Sequence, residues 1–332
     1  MSDSIISRNL SGRTLLEIRD LAVEFSKGGH TVSAVAGINL DVYEGETLGL
    51  VGESGCGKST TGRALMRIVE PTRGSVKLGG VEMTTLKNRA LRKVRTQMQM
   101  IFQDPVSSLN PRRRIRDIVA EPLDFWKSAT GKERDQIVWD LLQKVGIDPE
   151  VYGNRYARQF SGGQCQRISI ARALAMRPKL LICDEMVSAL DVSIQAQILN
   201  LLEDLKTEYG LTLIFIAHDL AVVKNVSDRV AVMYLGKIVE IGPSDDLYRE
   251  SAHPYTNFLL SAALEADPNN PPNENTLGGE PPSPLNPPSG CRFRTRCPRA
   301  TELCASEEPL MREISDTHLV ACHFPLIPVR AS

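Results

Sequence analysis

Gly52, Gly57, Lys58 and Ser59 stand in the spacing G-x-x-x-x-G-K-[ST], written out in the chain as Gly52-Glu53-Ser54-Gly55-Cys56-Gly57-Lys58-Ser59-Thr60. The chemistry of that pattern is the cradling of phosphate oxygens. Residues 46–51 (ETLGLV) read as a short buried strand, and residues 60–66 (TTGRALM) read as the helix that follows it. A tight turn from strand to helix aims several backbone N–H groups at one spot, where the helix N-terminus also favours negative charge. Glycines let the backbone approach an oxygen with no Cβ in the way. Lys58 adds a mobile cation for the β- and γ-phosphates, and the Ser59 hydroxyl can ligate Mg²⁺. The stretch predicts a nucleotide site made by Gly52, Ser54, Gly55, Cys56, Gly57, Lys58, Ser59 and Thr60. A glycine-rich turn without a ligand is the bland alternative, and the strand and helix flanks weigh against it.

Hydrolysis needs a carboxylate behind Mg²⁺ at the end of a neighbouring strand. The run 179–183 (KLLIC) delivers Asp184 there, with Glu185 one residue further on, placed to orient and deprotonate water. Alone, an apolar run ending in Asp-Glu is more often a strand ending in solvated acids; the phosphate loop upstream reverses that. Ser161-Gly162-Gly163-Gln164 offers a second glycine-opened helix start, in which Ser161 supplies a hydroxyl and Gly163 a bare N–H. By itself it would read as a helix cap. Phe25, just before a turn, is either core packing or a π-face for a base.

The elements that position these groups follow from the pattern of apolar residues. Residues 15–25 and 32–42 read as strands, 75–81 as a strand and hairpin, and 97–102 as a strand ending at Gln103. Residues 112–160 are mostly helical by spacing, a helical insertion. A helix over 194–208, a strand over 211–217 reaching His218, and a closing hairpin over 230–241 with Gly236 at its bend complete the alternation. Alternating strands and helices predict a largely parallel sheet with ligands at the strand C-terminal ends. Proline, asparagine and glycine dominate 267–290, which reads as an extended linker. No internal repeat is visible.

At 332 residues the chain suggests about two domains. Its net charge of −1 gives no global field for nucleic acid or anionic lipid, which excludes binding of either by bulk attraction. No apolar run approaches the roughly 20 residues needed to span a bilayer. Residues 1–8 have no apolar core of a secretory signal, so the chain is expected in the cytosol, with any membrane work left to partner subunits. Seven cysteines, an odd number in a chain without an export signal, argue against a disulfide framework.

With Phe160 before it and Gln166-Arg167 after, the 161–164 stretch resembles the signature sequence of ABC-type ATPases. The resemblance implies an α/β, P-loop NTPase fold with a mostly parallel core sheet, an antiparallel β subdomain and a helical insertion. Position by position, Phe25 resembles the adenine-stacking aromatic and Gln103 the glutamine that touches Mg²⁺ or the attacking water. Ser188-Ala189-Leu190-Asp191 resembles the loop that meets a partner cassette, and His218 the histidine that contacts the γ-phosphate. The resemblance thus makes Glu185, His218 and Gln103 catalytic, and Ser59, Gln103 and Asp184 the Mg²⁺ ligands. Ser161, Gly162, Gly163, Gln164 and Asp191 would serve ATP across a head-to-tail dimer.

Residues 101–112 (IFQDPVSSLNPR), 188–193 (SALDVS), 232–236 (VMYLG), 253–256 (HPYT) and 282–291 (PSPLNPPSGC) are similar to the dipeptide/oligopeptide (and nickel) importer ATPases, F-type subunit. The match covers about residues 12–325. It implies a nucleotide-binding domain over 12–265 with a helical subdomain about 106–165, a Pro-rich linker over 266–290 and a Cys-rich extension over 291–325. The implied partners are a paralogous D-type ATPase subunit, two transmembrane permease subunits and an extracytoplasmic peptide-binding protein, with no nucleic acid. The implied location is peripheral, on the cytoplasmic face of the inner or plasma membrane. Met186 departs from the family pattern, which usually has proline after Asp-Glu. Proline would stiffen that turn, so a looser turn and modified turnover are expected, with Glu185 still acting.

Cys291, Cys297, Cys304 and Cys322 follow C-x5-C-x6-C-x17-C, which is not a common zinc-ribbon spacing. Four thiolates there suggest a structural metal or a [4Fe–4S] cluster; zinc, free thiols and a disulfide stay open, and the resemblance favours the cluster. Arg292, Arg294, Arg296 and Arg299 interleave with these cysteines and could offset the charge of thiolate ligands, or form a solvated basic loop. Cys56, Cys165 and Cys183 read as packed or incidental. The leading expectation is an ATP-hydrolysing importer subunit for peptides, with nickel, glutathione or heme as other cargoes. The rivals are a soluble ABC protein of nucleic-acid or translation processes and a non-catalytic protein clamped by ATP.

Overall fold

The structure is a computed structural model and describes residues 12–27, 29–264 and 282–330. Most of the expected linker lies outside the described residues, as does the N-terminal stretch read for a signal. The described residues form two compact units, one from the stretches before 87 and after 215, the other of residues 87–215.

In the first unit, the strand Thr14–Lys27 pairs antiparallel with His30–Tyr43 on one side and Arg73–Leu78 on the other, and Val81–Glu82 closes the edge. Period-two alternation buries Leu16 and Ile18 and turns Glu17 and Arg19 toward the surface. The register slips between Ile18 and Leu21, where Asp20 has positive φ, the mark of a bulge. This is the expected antiparallel subdomain.

Thr47–Val51 is buried at every position, as a continuous apolar run between two covered faces should be. Burying each such Leu or Val contributes about 1.5–3 kcal/mol. It runs parallel to Arg229–Tyr234, which turns at Gly236 into the antiparallel strand Lys237–Pro243. Two short strands of the C-terminal region extend the same sheet: Leu319–Val320 pairs with Lys237–Pro243, and Arg312–Glu313 pairs with Leu319–Val320. The parallel pairing expected of the core is thus present, and the closing hairpin and the extension add antiparallel strands at its edge.

Glu240, fully buried, helps hold that junction. Its carboxylate accepts the N–H groups of Ala252 (2.6 Å) and His253 (2.9 Å) and lies 2.7 Å from Nε2 of His318. A buried carboxylate is tolerable only when its lone pairs are met in this way.

In the second unit, Met98–Ile101 runs parallel to Leu180–Asp184, and Thr212–Ile216 neighbours the latter. The expected helical stretch is present as Ile115–Trp126, Gly131–Lys144 and Pro149–Tyr152. Gly162–Leu174 and Val192–Tyr209 follow the signature and the 188–191 loop. A helix over Asn88–Arg95 was not legible, since Leu91 is its single buried residue and no apolar period exists to read. Among the described residues, no helix is long and apolar enough to cross a membrane.

Candidate nucleotide site

The phosphate loop leaves the buried strand Thr47–Val51 and enters the helix Lys58–Leu65. Gly57, the helix N-cap, has φ +110°, and a Cβ there would lie 2.1 Å from the carbonyl oxygen of Ala34. No other residue fits. The Lys58 side chain is buried and folded along the loop, its Nζ donating to the carbonyls of Gly52 (2.7 Å) and Glu53 (3.0 Å). Its charge thus stays on the concave side of the turn. Ser59 and Thr60 occupy the first helical turn, and Ser54 and Gly55 are exposed at the tip. Cys56 is buried, which raises its thiol pKa against the opposing pull of Lys58; it packs, and offers the loop an N–H rather than a nucleophile.

Two more predicted groups belong to this unit. Phe25 is 46% exposed on its strand, so it is not a core residue. The Ala217 N–H donates to the carbonyl of Leu50 (3.3 Å). That bond sets His218, which is exposed, one residue beyond the strand that leads into the phosphate loop. Asp219 then caps the next helix by accepting from Ala221 and Val222.

The second unit collects the other predicted groups. Asp184 is buried at the end of Leu180–Asp184. Glu185 follows with φ +47°, an unusual backbone for a side chain with a Cβ and of a kind concentrated at working sites. The Gln103 side-chain amide donates to Oε2 of Glu185 at 2.9 Å. The turn after Glu185 is closed by Ser188, whose N–H (3.2 Å) and hydroxyl (2.9 Å) both donate to the Glu185 carbonyl. Met186 is buried beneath it, so packing and these two bonds hold the turn that proline would otherwise stiffen.

Ser161 is the N-cap of Gly162–Leu174. Its hydroxyl accepts from Gln164 N–H (3.3 Å), and the Gln164 side chain accepts from Ser161 N–H (3.0 Å), a reciprocal capping box. The bland reading of the motif is thus physically real, yet Ser161 stays exposed and its hydroxyl keeps a proton to donate. A Cβ on Gly163 would meet Ile194 at 2.6 Å. Asp191 caps Val192–Tyr209, accepting from Ile194 N–H and Ser193 Oγ; these bonds hold its carboxyl below the ordinary range.

In the C-terminal region, Cys291, Cys297, Cys304 and Cys322 line one cavity together with His253 and Phe293. All seven cysteines are free thiols. Burial raises the thiols of Cys291 and Cys297, and that of Cys322 to about 11. Backbone N–H groups oppose it: those of Phe293 and Arg294 at Cys291, Arg299 at Cys297 and Phe324 at Cys322. Among the described residues, no group of three or more His, Cys, Asp or Glu side chains could hold a metal ion as arranged. Glu53, Tyr255 and Arg296 also meet at the phosphate loop, a contact the sequence reading did not assign to any of them. Their separation in sequence hides it.

Residues 35–188 match the family described as ABC transporter, and residues 239–304 match the C-terminal region of oligopeptide/dipeptide transporters. The chain is 54% identical over 322 residues to the oligopeptide transport ATP-binding protein OppF of Escherichia coli (strain K12), covering 93% of this chain and 96% of that protein. It is 51% identical to a putative oligopeptide transport ATP-binding protein, YkfD, of Bacillus subtilis (strain 168), over 93% and 95% of the two chains. Among solved structures, the ATP-binding cassette MJ0796, a dimer bound to ADP and Pi, aligns with TM-score 0.64 at 28% identity, covering 69% of this chain and 99% of that one. With the phosphate loop, the capped signature helix and the Gln103–Glu185 pair in place, the chain belongs to the ABC transporter family of ATPases, in the branch that carries the oligopeptide/dipeptide transporter C-terminal region.

Proposed function

We propose that this chain is the ATP-hydrolysing subunit of an importer of di- and oligopeptides. The observation that carries the hydrolytic part is the hydrogen bond from Gln103 to Glu185, made one residue after the buried Asp184. The peptide cargo is supported by the relatives named for oligopeptide transport and by the matching C-terminal region. Neither rival reading, a soluble nucleic-acid or translation ATPase or a static ATP clamp, has an observation of its own in its favour.

In this reading Phe25 stacks on adenine, while Lys58 and the N–H groups from Ser54 to Thr60 hold the triphosphate. The hydroxyl of Ser59, the amide oxygen of Gln103 and the carboxylate of Asp184 would each supply an oxygen donor of the kind a hard cation takes. Mg²⁺ held there would neutralise phosphate charge. Glu185 takes the proton of the attacking water, with Gln103 fixing its carboxylate and His218 contacting the γ-phosphate. Ser161, Gly162, Gly163, Gln164 and Asp191 serve a nucleotide held by a second cassette, a paralogous D-type subunit. Closure and opening of that pair move two permease subunits from the cytoplasmic face of the membrane, and an extracytoplasmic binding protein delivers the peptide.

We assign residues 12–265 to the nucleotide-binding domain with a helical part about 106–165, 266–290 to a linker and 291–325 to the Cys-rich extension. Cys291, Cys297, Cys304 and Cys322 would hold a [4Fe–4S] cluster. The support is one shared cavity and N–H groups directed at three of the sulfurs, the arrangement thiolates bound to iron require. Such a cluster would supply cross-linking of the extension.

Glu185→Gln in the assembled transporter tests the function. Loss of hydrolysis with ATP binding kept is expected; hydrolysis at the parent rate would refute it. Peptide-stimulated turnover with the copurifying permeases checks the cargo.

A further inference from the structure

The phosphate loop carries one charged side chain to which the reading above gives no task, Glu53. Its carboxylate faces the guanidinium of Arg296, with Nη1 2.8 Å from Oε2 and Nη2 3.0 Å from Oε1. The two residues are 243 positions apart, and Arg296 comes from between the first two cysteines of the extension. The Arg296 side chain is 6% exposed and that of Glu53 24%. A two-bond fork of this kind fixes both distance and plane, which a single ion contact does not.

The rest of Glu53 is held as well. Its N–H donates to the hydroxyl of Tyr255 at 2.9 Å, and its carbonyl accepts from Lys58 Nζ at 3.0 Å. Behind this contact Phe293, fully buried, packs on Tyr234 and Tyr255 with ring centres 5.3 and 5.4 Å away. Arg292 bonds the carbonyl of Leu235, and the next residue, Gly236, donates to the carbonyl of Cys56 at 2.8 Å. The extension therefore reaches the phosphate loop at two points, directly through Arg296 and through the 235–236 turn.

We propose that Arg296 is a positioning residue of the nucleotide site: its fork on Glu53 holds the phosphate loop in the shape that receives the triphosphate and turns the Glu53 carboxylate away from it. The proposal rests on the reading that the Lys58 loop binds ATP. Two physical effects lead to it. A loop that must converge its N–H groups on an anion binds better when its backbone is already fixed. A carboxylate within that loop repels the anion unless a cation is held against it. Both effects act on binding and leave the proton transfer at Glu185 alone, so they separate from a loss of chemistry.

The test is calorimetric titration of the full-length chain with Mg²⁺ and a non-hydrolysable ATP analogue, with thermal melting of each variant alongside. Arg296→Met keeps the aliphatic stem, Glu53→Gln removes the partner charge, and the double variant closes the cycle. Arg296→Met, which loses both effects, is expected to weaken binding about tenfold, about 1.4 kcal/mol; Glu53→Gln, which loses only the fixed loop, is expected to weaken it less, with the double variant no weaker than Arg296→Met. Arg296→Lys should fall between Arg296→Met and the parent. In the assembled transporter, KM for ATP should rise by the same factor with kcat within about twofold. Parent-like affinity in both singles, or losses that simply add, would overturn the proposal, as would a lowered melting temperature with unchanged affinity. Lys58→Ala separates the two readings. If it binds as the parent does, the nucleotide site itself is wrong; if it abolishes binding while Arg296→Met binds normally, only the role of Arg296 fails.

Discussion

The side-chain amide of Gln103 donates to the carboxylate of Glu185 across 2.9 Å, joining the loop that follows one strand to the residue just past the end of its parallel neighbour. In the proposed mechanism the glutamine orients the base and does not itself take the proton. Gln103→Ala is expected to lower ATP turnover about tenfold, against about a hundredfold or more for Glu185→Gln. Steady-state hydrolysis in the assembled transporter checks the order of the two; equal losses would make Gln103 part of the chemistry.

Gly57→Ala should abolish nucleotide binding. The added Cβ would sit 2.1 Å from the Ala34 carbonyl at a backbone φ of +110°, and strain of this kind costs on the order of 1–3 kcal/mol before the loop moves. Titration with the ATP analogue, beside a melting curve, should show lost affinity in a chain that still folds. Retained affinity would mean that the loop shape is not what binds phosphate.

His253 is buried, and burial pulls its pKa down to about 4, with Glu240 opposing. Its Nδ1 accepts the Tyr255 N–H at 3.0 Å, which requires the neutral ring. Because the folded pKa lies below the unfolded one, this stability is complete above about pH 6.5 and is lost as pH falls toward 4, at about 1.4 kcal/mol per pH unit. His253→Asn keeps an acceptor for the Tyr255 N–H but cannot be protonated there. Denaturant unfolding from pH 7 to pH 4 should be flatter in the variant, and parallel curves would refute the assignment.

Chain purified without oxygen is expected to be brown, with about four irons and four sulfides per chain. Replacing Cys291 or Cys322 by serine should bleach it. Colourless protein with one zinc per chain would assign the cavity to that metal instead.

The sequence alone determined the nucleotide chemistry, because that chemistry is local. A phosphate loop needs its glycines, lysine and serine within nine residues, and Asp184 with Glu185 needs only an apolar run before it. The alternation in 15–25 and the apolar run 46–51 revealed their strands for the same reason: periodicity is a property of neighbours. Asn88–Arg95 stayed hidden because a helix that buries Leu91 alone leaves no period. Whether Phe25 packs or faces solvent was undecided until its exposure was known. Only the tertiary structure could bring Arg296 to Glu53, His318 to Glu240 and four cysteines to one cavity. Those pairings depend on the extension adding strands to the sheet that carries the phosphate loop, and no spacing along the chain encodes a contact between residues 243 positions apart.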